Sequence, residues 1–117
     1  MGHASAQEKD IVLGSCAWGS TATVFGPENV GTRFARVKIT EYAPGTTHSL
    51  HQHPNEEEII YVLDGKGVSK TATGELPMGP GTFVYIPAGT DHTTINLDPD
   101  KPLRTIIIKA PPGPAGL

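Results

Sequence analysis

The residues of this chain with the clearest potential for chemistry form the segment His51-Gln52-His53-Pro54-Asn55-Glu56-Glu57-Glu58. On a β-strand, side chains at positions i and i+2 point to the same face, so His51 and His53 would project together as the start of a chelate. A carboxylate from the acidic run could join them if the chain turns at Pro54-Asn55. Imidazole and carboxylate ligands suit first-row transition metals that keep open coordination positions. A fourth ligand has to come from elsewhere in the chain.

One candidate for that fourth ligand is His92, the only histidine that follows His53. It comes shortly after a Pro-Ala-Gly turn and opens a run of strand-forming residues. His48, by contrast, is not a candidate ligand. It lies an odd number of residues before His51 and His53, so on a regular strand its side chain would point away from theirs. We therefore expect His48 not to be a ligand. The local pattern leaves open which of the three glutamates at 56–58 would complete the site.

The elements that must position these residues read as short strands separated by turns. The chain has 14 Gly and 11 Pro, and only 18% of its residues are charged, which favours an all-β fold over a helical one. Apolar and polar residues alternate through 32–42, as is typical of a half-buried strand. Residues 59–63 are apolar on both faces, which indicates a central strand. Asp64-Gly65 predicts a hairpin after it. About nine short strands in all predict an antiparallel sandwich or barrel.

The length of 117 residues allows one domain with one modest core. We expect a flexible N-terminal segment at 1–10, a barrel domain at 11–110 and a Pro-rich tail at 111–117. The net charge of −3 comes without a basic cluster, so no nucleic-acid partner is expected. No stretch is long and apolar enough to span a bilayer, so no membrane partner is expected either. The single Cys16 fits a cytoplasmic location and should be a small buried residue.

The spacing around the two neighbouring histidines resembles the first motif of the cupin family. That motif has a glycine, five residues, His-x-His, three or four residues, a glutamate, six residues and a second glycine. The chain matches it at these positions: Gly45, His51, His53, Glu58 and Gly65. Of the three consecutive glutamates, only Glu58 satisfies both the gap after His53 and the gap before Gly65. Glu56 and Glu57 are therefore expected to be surface acids.

The spacing around His92 resembles the second cupin motif. That motif has a glycine, five residues, Pro-x-Gly, two residues, a histidine, three residues and an asparagine. The chain matches every position: Gly81, Pro87, Gly89, His92 and Asn96. Both motifs stand in the family's order and together cover residues 45–96. The glycines and the proline read as turn residues, and Asn96 as a hydrogen-bonding residue at the end of the barrel.

The resemblance implies a single antiparallel β-jelly-roll barrel that holds one divalent transition metal ion (Fe, Mn, Ni, Co, Cu or Zn). The metal ligands that it implies are His51, His53, Glu58 and His92. Strand parity then gives the side chains that share the inward face with Glu58 and His92. These residues, expected to line the substrate pocket, are Ile60, Val62, Thr94 and Asn96. A lining of this kind is mostly apolar and would suit a small, largely apolar or aromatic ligand.

The function that the resemblance implies is that of a metal-binding cupin acting on a small organic molecule. We expect a small metal-dependent enzyme of the dioxygenase, decarboxylase or isomerase type. The alternative is a non-catalytic metabolite-binding or sensor module, because fold and ligands do not determine a reaction. The sequence identifies no general acid or base. A homodimer is expected, with the N-terminal strands and Trp18 as candidates for its interface.

Overall fold

Short strands separated by turns build two facing antiparallel sheets. The computed structural model describes residues 2–112, and ten strands lie within that range. They are β1 Gly14–Cys16, β2 Gly19–Phe25, β3 Arg36–Tyr42, β4 Thr47–His51, β5 Glu57–Asp64, β6 Gly67–Thr71, β7 Gly74–Met78, β8 Phe83–Ile86, β9 His92–Asn96 and β10 Leu103–Ala110. A single 3₁₀ turn covers Glu8–Asp10. The predicted tail at 111–117 lies outside the described residues from position 113 onward.

The two sheets have the arrangement of a jelly roll. The larger sheet has the strand order β1-β2-β3-β10-β5-β8, and the smaller one β4-β9-β6-β7. Neighbouring strands are antiparallel throughout both sheets. The prediction of an all-β antiparallel barrel is therefore confirmed. Strand β5 lies between β10 and β8, in the interior position that its apolar sequence predicted.

The prediction of a hairpin at Asp64-Gly65 is wrong. Strand β5 belongs to the larger sheet and β6 to the smaller one, so the chain crosses between sheets at this point. Gly65 has a φ of +97°, and a Cβ there would lie 2.7 Å from the carbonyl oxygen of Pro102. A turn sequence alone does not distinguish a hairpin from a crossover between sheets. Here the segment before β10 passes close to Gly65, and the chain crosses to the other sheet. Only glycine fits at this crossover without strain.

The apolar core fills one half of the barrel interior. Its buried residues come from both sheets and are Tyr42, Ile60, Val62, Met78, Val84, Ile86, Leu103 and Ile107. The other half of the interior, between β3 and β10 on one side and β4 and β9 on the other, contains polar side chains. This division leaves one end of the barrel able to hold a polar site.

Strand β3 is covered on both faces, whereas its alternation predicted a half-buried strand. Its polar residues Arg36, Lys38 and Thr40 are buried, and Lys38 and Thr40 line the interior cavity. Val37 and Ile39 point outward and share a groove with residues of the N-terminal segment. Polar and apolar residues do alternate along β3, but other parts of the chain cover both of its faces. The sequence of one strand does not show which elements pack against it.

Cys16 is exposed, because its short strand β1 lies at the edge of the sheet. The expectation that Cys16 is buried is therefore wrong. In the N-terminal segment, Glu8 forms an ion pair of 2.9 Å with Arg104. Within residues 2–112, no helix has the length and apolar character needed to cross a membrane.

Candidate metal centre

Three histidines meet at one end of the smaller sheet. His51 at the end of β4 lies directly opposite His92 at the start of β9, and His53 follows two residues after His51. The ring centroids are 4.0 Å apart for His51 and His92, and 5.2 Å apart for His51 and His53. Each ring offers one nitrogen atom, and these atoms lie within 4.8 Å of one another. One metal ion can therefore contact all three rings.

Backbone carbonyls anchor the far side of two of these rings. The Nδ1 atom of His51 lies 2.7 Å from the carbonyl oxygen of Ser49, and that of His92 lies 2.9 Å from the carbonyl oxygen of Thr90. A carbonyl oxygen only accepts, so each Nδ1 must carry the proton that it donates. The lone pair then lies on Nε2. Such outer hydrogen bonds fix the tautomer and the orientation of metal-binding histidines.

The third ring, that of His53, has a carboxylate beside its Nδ1 atom instead of a carbonyl. The Nδ1 atom of His53 lies 3.3 Å from Oε1 of Glu56. Burial lowers the pKa of His53 to about 4, so the ring is neutral at pH 7. The Glu56 side chain is only 10% exposed, so the expectation that it is a surface acid is wrong. The turn after His53 folds Glu56 back onto the ring, whereas Glu57 is exposed as expected.

Glu58 faces the histidines from the opposite sheet. Its Oε2 atom lies 3.1 Å from Nε2 of His92, and both side chains are buried. Neither of these two atoms has a hydrogen-bonding partner, although both are shielded from solvent. Two buried electron-pair donors facing each other are unfavourable unless a proton or a cation lies between them. The donor atoms present here therefore fit a bound metal ion.

The pKa shifts of Glu58 and His92 indicate that the space between these two side chains favours a positive charge. Burial raises the pKa of Glu58, but His92 and Lys109 lower it by more, and the net direction is downward. Burial lowers the pKa of His92, but Glu58 and the Thr90 carbonyl raise it by more. The carboxylate thus attracts a cation to the position beside His92. A metal ion must displace any proton held there, so its binding should weaken at acid pH.

These groups line a narrow cavity of about 20 Å³ that opens to solvent. Its other walls come from β3 and β10 of the larger sheet, from β4 and β9, and from the turn between β1 and β2: Trp18, Lys38, Thr40, Tyr42, His48, Thr94, Ile107 and Lys109. Of the predicted pocket residues, Thr94 lies in this wall. Ile60 and Val62 point inward but belong to the apolar core. The mostly apolar lining expected from parity is not found, because parity gives a side chain's face and not its depth along the barrel.

The two lysines of the cavity wall were missed by the sequence reasoning. Lys109 lies opposite Glu58 in β5 and opposite Arg36 in β3. Burial, followed by repulsion from Lys109 and Arg36, lowers the pKa of Lys38 to about 8. A signal for Lys109 existed, since Leu103, Thr105, Ile107 and Lys109 alternate along the last strand. That strand was predicted, but its pairing with β5 was not.

His48 also enters the cavity, so the prediction that it points away from His51 and His53 is wrong. The pairing register of β4 with β9 shifts between His48 and His51, and this bulge reverses the parity. The ring of His48 lies 4.1 Å from that of His51 and 4.2 Å from that of Trp18. Its Nδ1 atom is buried without a hydrogen-bonding partner. His48 does not belong to the group of three rings that can share one ion.

Comparison with known proteins assigns the family. Residues 38–109 match the family model described as the cupin domain. This chain is a cupin. The resemblance seen in the two motifs is thereby confirmed, and the match covers every residue of the candidate metal centre. A structural likeness supports the same fold: the polyketide cyclase RemF from Streptomyces resistomycificus superposes with a TM-score of 0.79 at 18% identity, covering 95% of this cupin and 83% of that chain.

Two curated relatives show how varied the similar proteins are. A glucose-6-phosphate isomerase of Thermococcus kodakarensis is 38% identical over 79 residues, which is 63% of this cupin and 37% of that protein. An oxalate-binding protein of Thermotoga maritima is 34% identical over 68 residues, which is 58% of this cupin and 54% of that protein. The cupin therefore spans about half or less of the length of these relatives.

The asparagine of the second motif has a structural role in this cupin. The Nδ2 atom of Asn96 donates to the carbonyl oxygens of Tyr42, Ala43 and Lys101 at 3.0, 3.2 and 2.9 Å. Its Oδ1 atom accepts a hydrogen bond of 2.8 Å from the backbone of Asp98. Asn96 therefore joins the end of β3 to the loop before β10. This agrees with its expected role at the end of the barrel, and it does not line the cavity of the histidines.

Proposed function

We propose that this cupin binds one divalent transition metal ion through His51, His53, Glu58 and His92 and acts as a small metal-dependent enzyme. The observation that carries the proposal is the pair of buried donor atoms on Glu58 and His92, which have no partner although they face each other. When bound, such an ion supplies a Lewis acid with one or two open coordination positions. Fe, Mn, Ni, Co, Cu and Zn all suit this donor set.

The protein's own contribution is a rigid and correctly protonated set of ligands. Hydrogen bonds at Nδ1 hold the rings of His51 and His92, so their Nε2 atoms need no reorientation when an ion enters. Glu58 adds one negative charge, which offsets part of the charge of the ion. Because His51, Glu58 and His92 lie on strands of the two sheets, the sheets determine the positions of three of the four proposed ligands.

The cavity supports an enzyme of the dioxygenase, decarboxylase or isomerase type. Titratable side chains that are not candidate ligands, His48 and Lys38, also line it. Such groups can hold or move protons near a bound molecule, which simple metal storage does not require. The similarity to a glucose-6-phosphate isomerase agrees with chemistry on a small molecule.

A non-catalytic metabolite-binding or sensor module is the second candidate. The observation that favours it is the similarity to a protein named for binding oxalate rather than for converting it. Incubation of the metal-loaded protein with small organic acids, sugar phosphates and enolisable ketones separates the two candidates. An enzyme consumes one of them, whereas a binding module shows saturable binding and returns every compound unchanged. The cytoplasmic location and the homodimer stay predictions, and light scattering tests the latter.

The test of the metal site is elemental analysis of protein purified without chelators. We expect about one transition metal ion per chain in the native protein and much less in a His92→Ala variant. His3→Ala is the matched control, because His3 is exposed in the N-terminal segment far along the chain from the site. Equal metal content in the His92→Ala and native proteins would show that the proposed site is wrong.

A further inference from the structure

The cavity wall opposite the histidines contains two buried lysines. Lys38 on β3 and Lys109 on β10 are each only 3% exposed, and both line the cavity. Lys109 lies directly across from Glu58, and on its other side lies Arg36. Arg36 forms an ion pair with Glu28, which is not among the residues lining the cavity. The two lysines therefore provide the positive charge of this wall.

The charges of this buried site do not cancel once a divalent ion is present. The two lysines match the two carboxylates nearest the histidines, Glu56 and Glu58. The three proposed histidine ligands are His51, His53 and His92, and each binds an ion in its neutral form. The two positive charges of the ion then remain without a counter-charge. A buried excess of this size is costly, because charge removed from water must be compensated nearby. An anion in the cavity provides that compensation.

We propose that Lys38 and Lys109 form an anion subsite beside the metal, and that the ligand of this cupin is a small organic dianion. One of its negatively charged oxygens binds the metal, and another binds the two lysines. The inference rests on the proposed metal site and adds the chemical class of its ligand. The buried Nδ1 atom of His48, which has no partner, lies in the same cavity and can exchange a hydrogen bond with that ligand. A dicarboxylate and a phosphate monoester both have the required charge.

Matched pairs of compounds that differ by one charge test the subsite. Zinc-loaded protein is titrated calorimetrically with malonate and monomethyl malonate, and with methyl phosphate and dimethyl phosphate. We expect one dianion to bind at least about tenfold more tightly than its singly charged partner, and the pair that shows this distinguishes a dicarboxylate from a phosphate ligand. In Lys109→Met and in Lys38→Met, this ratio should fall towards one. Lys109→Arg should retain most of it.

The controls separate failure of the subsite from failure of the metal site. Lys101→Met removes an exposed lysine, paired with Asp64 at the surface, and should leave the ratio unchanged. Zinc affinity should be equal or higher in Lys109→Met, because a positive charge near the ion has been removed. If Lys109→Met does not fold, Lys38→Met decides by the same criterion.

The possible results have distinct meanings. If the native protein binds no zinc, the metal site and the subsite are both wrong. If zinc binds but neither dianion is preferred over its partner, the subsite alone is wrong. A preference that persists unchanged in both methionine variants also overturns it, since the dianion would then be recognised by other groups. Loss of the preference in those variants alone supports the subsite.

Discussion

The contact between Glu56 and His53 makes a specific prediction about metal affinity. The Glu56 carboxylate lies 3.3 Å from Nδ1 of His53 and is nearly buried. Glu56→Gln keeps the shape of the side chain and one acceptor oxygen. It removes the negative charge that makes the imidazole of His53 a better electron-pair donor to a metal ion. Substitutions at such outer positions typically reduce metal affinity by about 10–100-fold. Because the amide oxygen still accepts a hydrogen bond, we expect the lower end, about tenfold or 1.4 kcal/mol.

Stability should respond differently from affinity. The second oxygen of Glu56, Oε2, is buried without a hydrogen-bonding partner, so removing the charge removes a desolvation cost, but it also removes an attraction to the buried Lys109. Because these effects oppose each other, we expect the free energy of unfolding of the apoprotein in Glu56→Gln to stay within about 1 kcal/mol of the native value. A weaker site in an equally stable protein would mean that the carboxylate orients His53 and does not merely support the fold.

The assay is a competition titration in which a chelating dye and the apoprotein share zinc at neutral pH. Glu57→Gln is the matched control, because its side chain carries the same charge one residue away and is exposed. We expect that control to bind zinc like the native protein. Equal affinities in Glu56→Gln and Glu57→Gln would refute the reasoning that the carboxylate tunes the ring.

Three further predictions concern the framework around the site. Gly65→Ala should lower the free energy of unfolding by about 3 kcal/mol, because the residue has a φ of +97° and a Cβ would lie 2.7 Å from a backbone oxygen. In the same urea titration Gly79→Ala should change it by less than about 0.5 kcal/mol, since no atom lies within 4 Å of the new Cβ. By the same method, Asn96→Ala should lower the free energy of unfolding by about 3 kcal/mol, because several buried backbone groups lose their hydrogen-bonding partner. A change below about 1 kcal/mol would contradict the structural role of Asn96. The hydrogen bond to Arg36 lowers the pKa of Glu28 in the folded protein. The ionised carboxylate therefore stabilises the fold at pH values above the pKa that Glu28 has in the unfolded chain. This stabilisation is lost as the pH falls through the lower pKa of the folded state. Glu28→Gln should therefore lower the melting temperature at neutral pH but not in acid, and a loss that is equal at both pH values would argue against the ion pair.

The parts of the molecule that could be predicted from the sequence are those determined by spacing along the chain. Turn residues at fixed intervals predicted a barrel of short strands, and the motif spacing singled out three histidines that do lie together. The same spacing selected Glu58 from three adjacent glutamates, and its carboxylate does face His92. The ligand set was implied by the resemblance to the two cupin motifs, because the local pattern alone left the choice among the three glutamates open.

The parts that could not be predicted depend on contacts between strands far apart in the sequence. Lys109 lies in the site because β10 pairs with β5, a pairing that no local pattern encodes. His48 enters the cavity because a bulge reverses the parity of β4, and one inserted residue is invisible in an alternation. The cavity was consequently expected to be apolar, although its walls contain two lysines. The class of ligand inferred here follows from those contacts.

The central claim is that Nε2 of each of three histidines is presented to one metal ion. Long-range proton–nitrogen NMR of imidazole-labelled protein tests it most directly, because the two ring nitrogens give separate signals. In the apoprotein we expect His51 and His53 with the proton on Nδ1. On addition of zinc, the Nε2 signals of His51, His53 and His92 should shift at one equivalent, while those of His3 stay unchanged. Shifts at Nδ1, or zinc-dependent shifts that omit His92, would contradict the account.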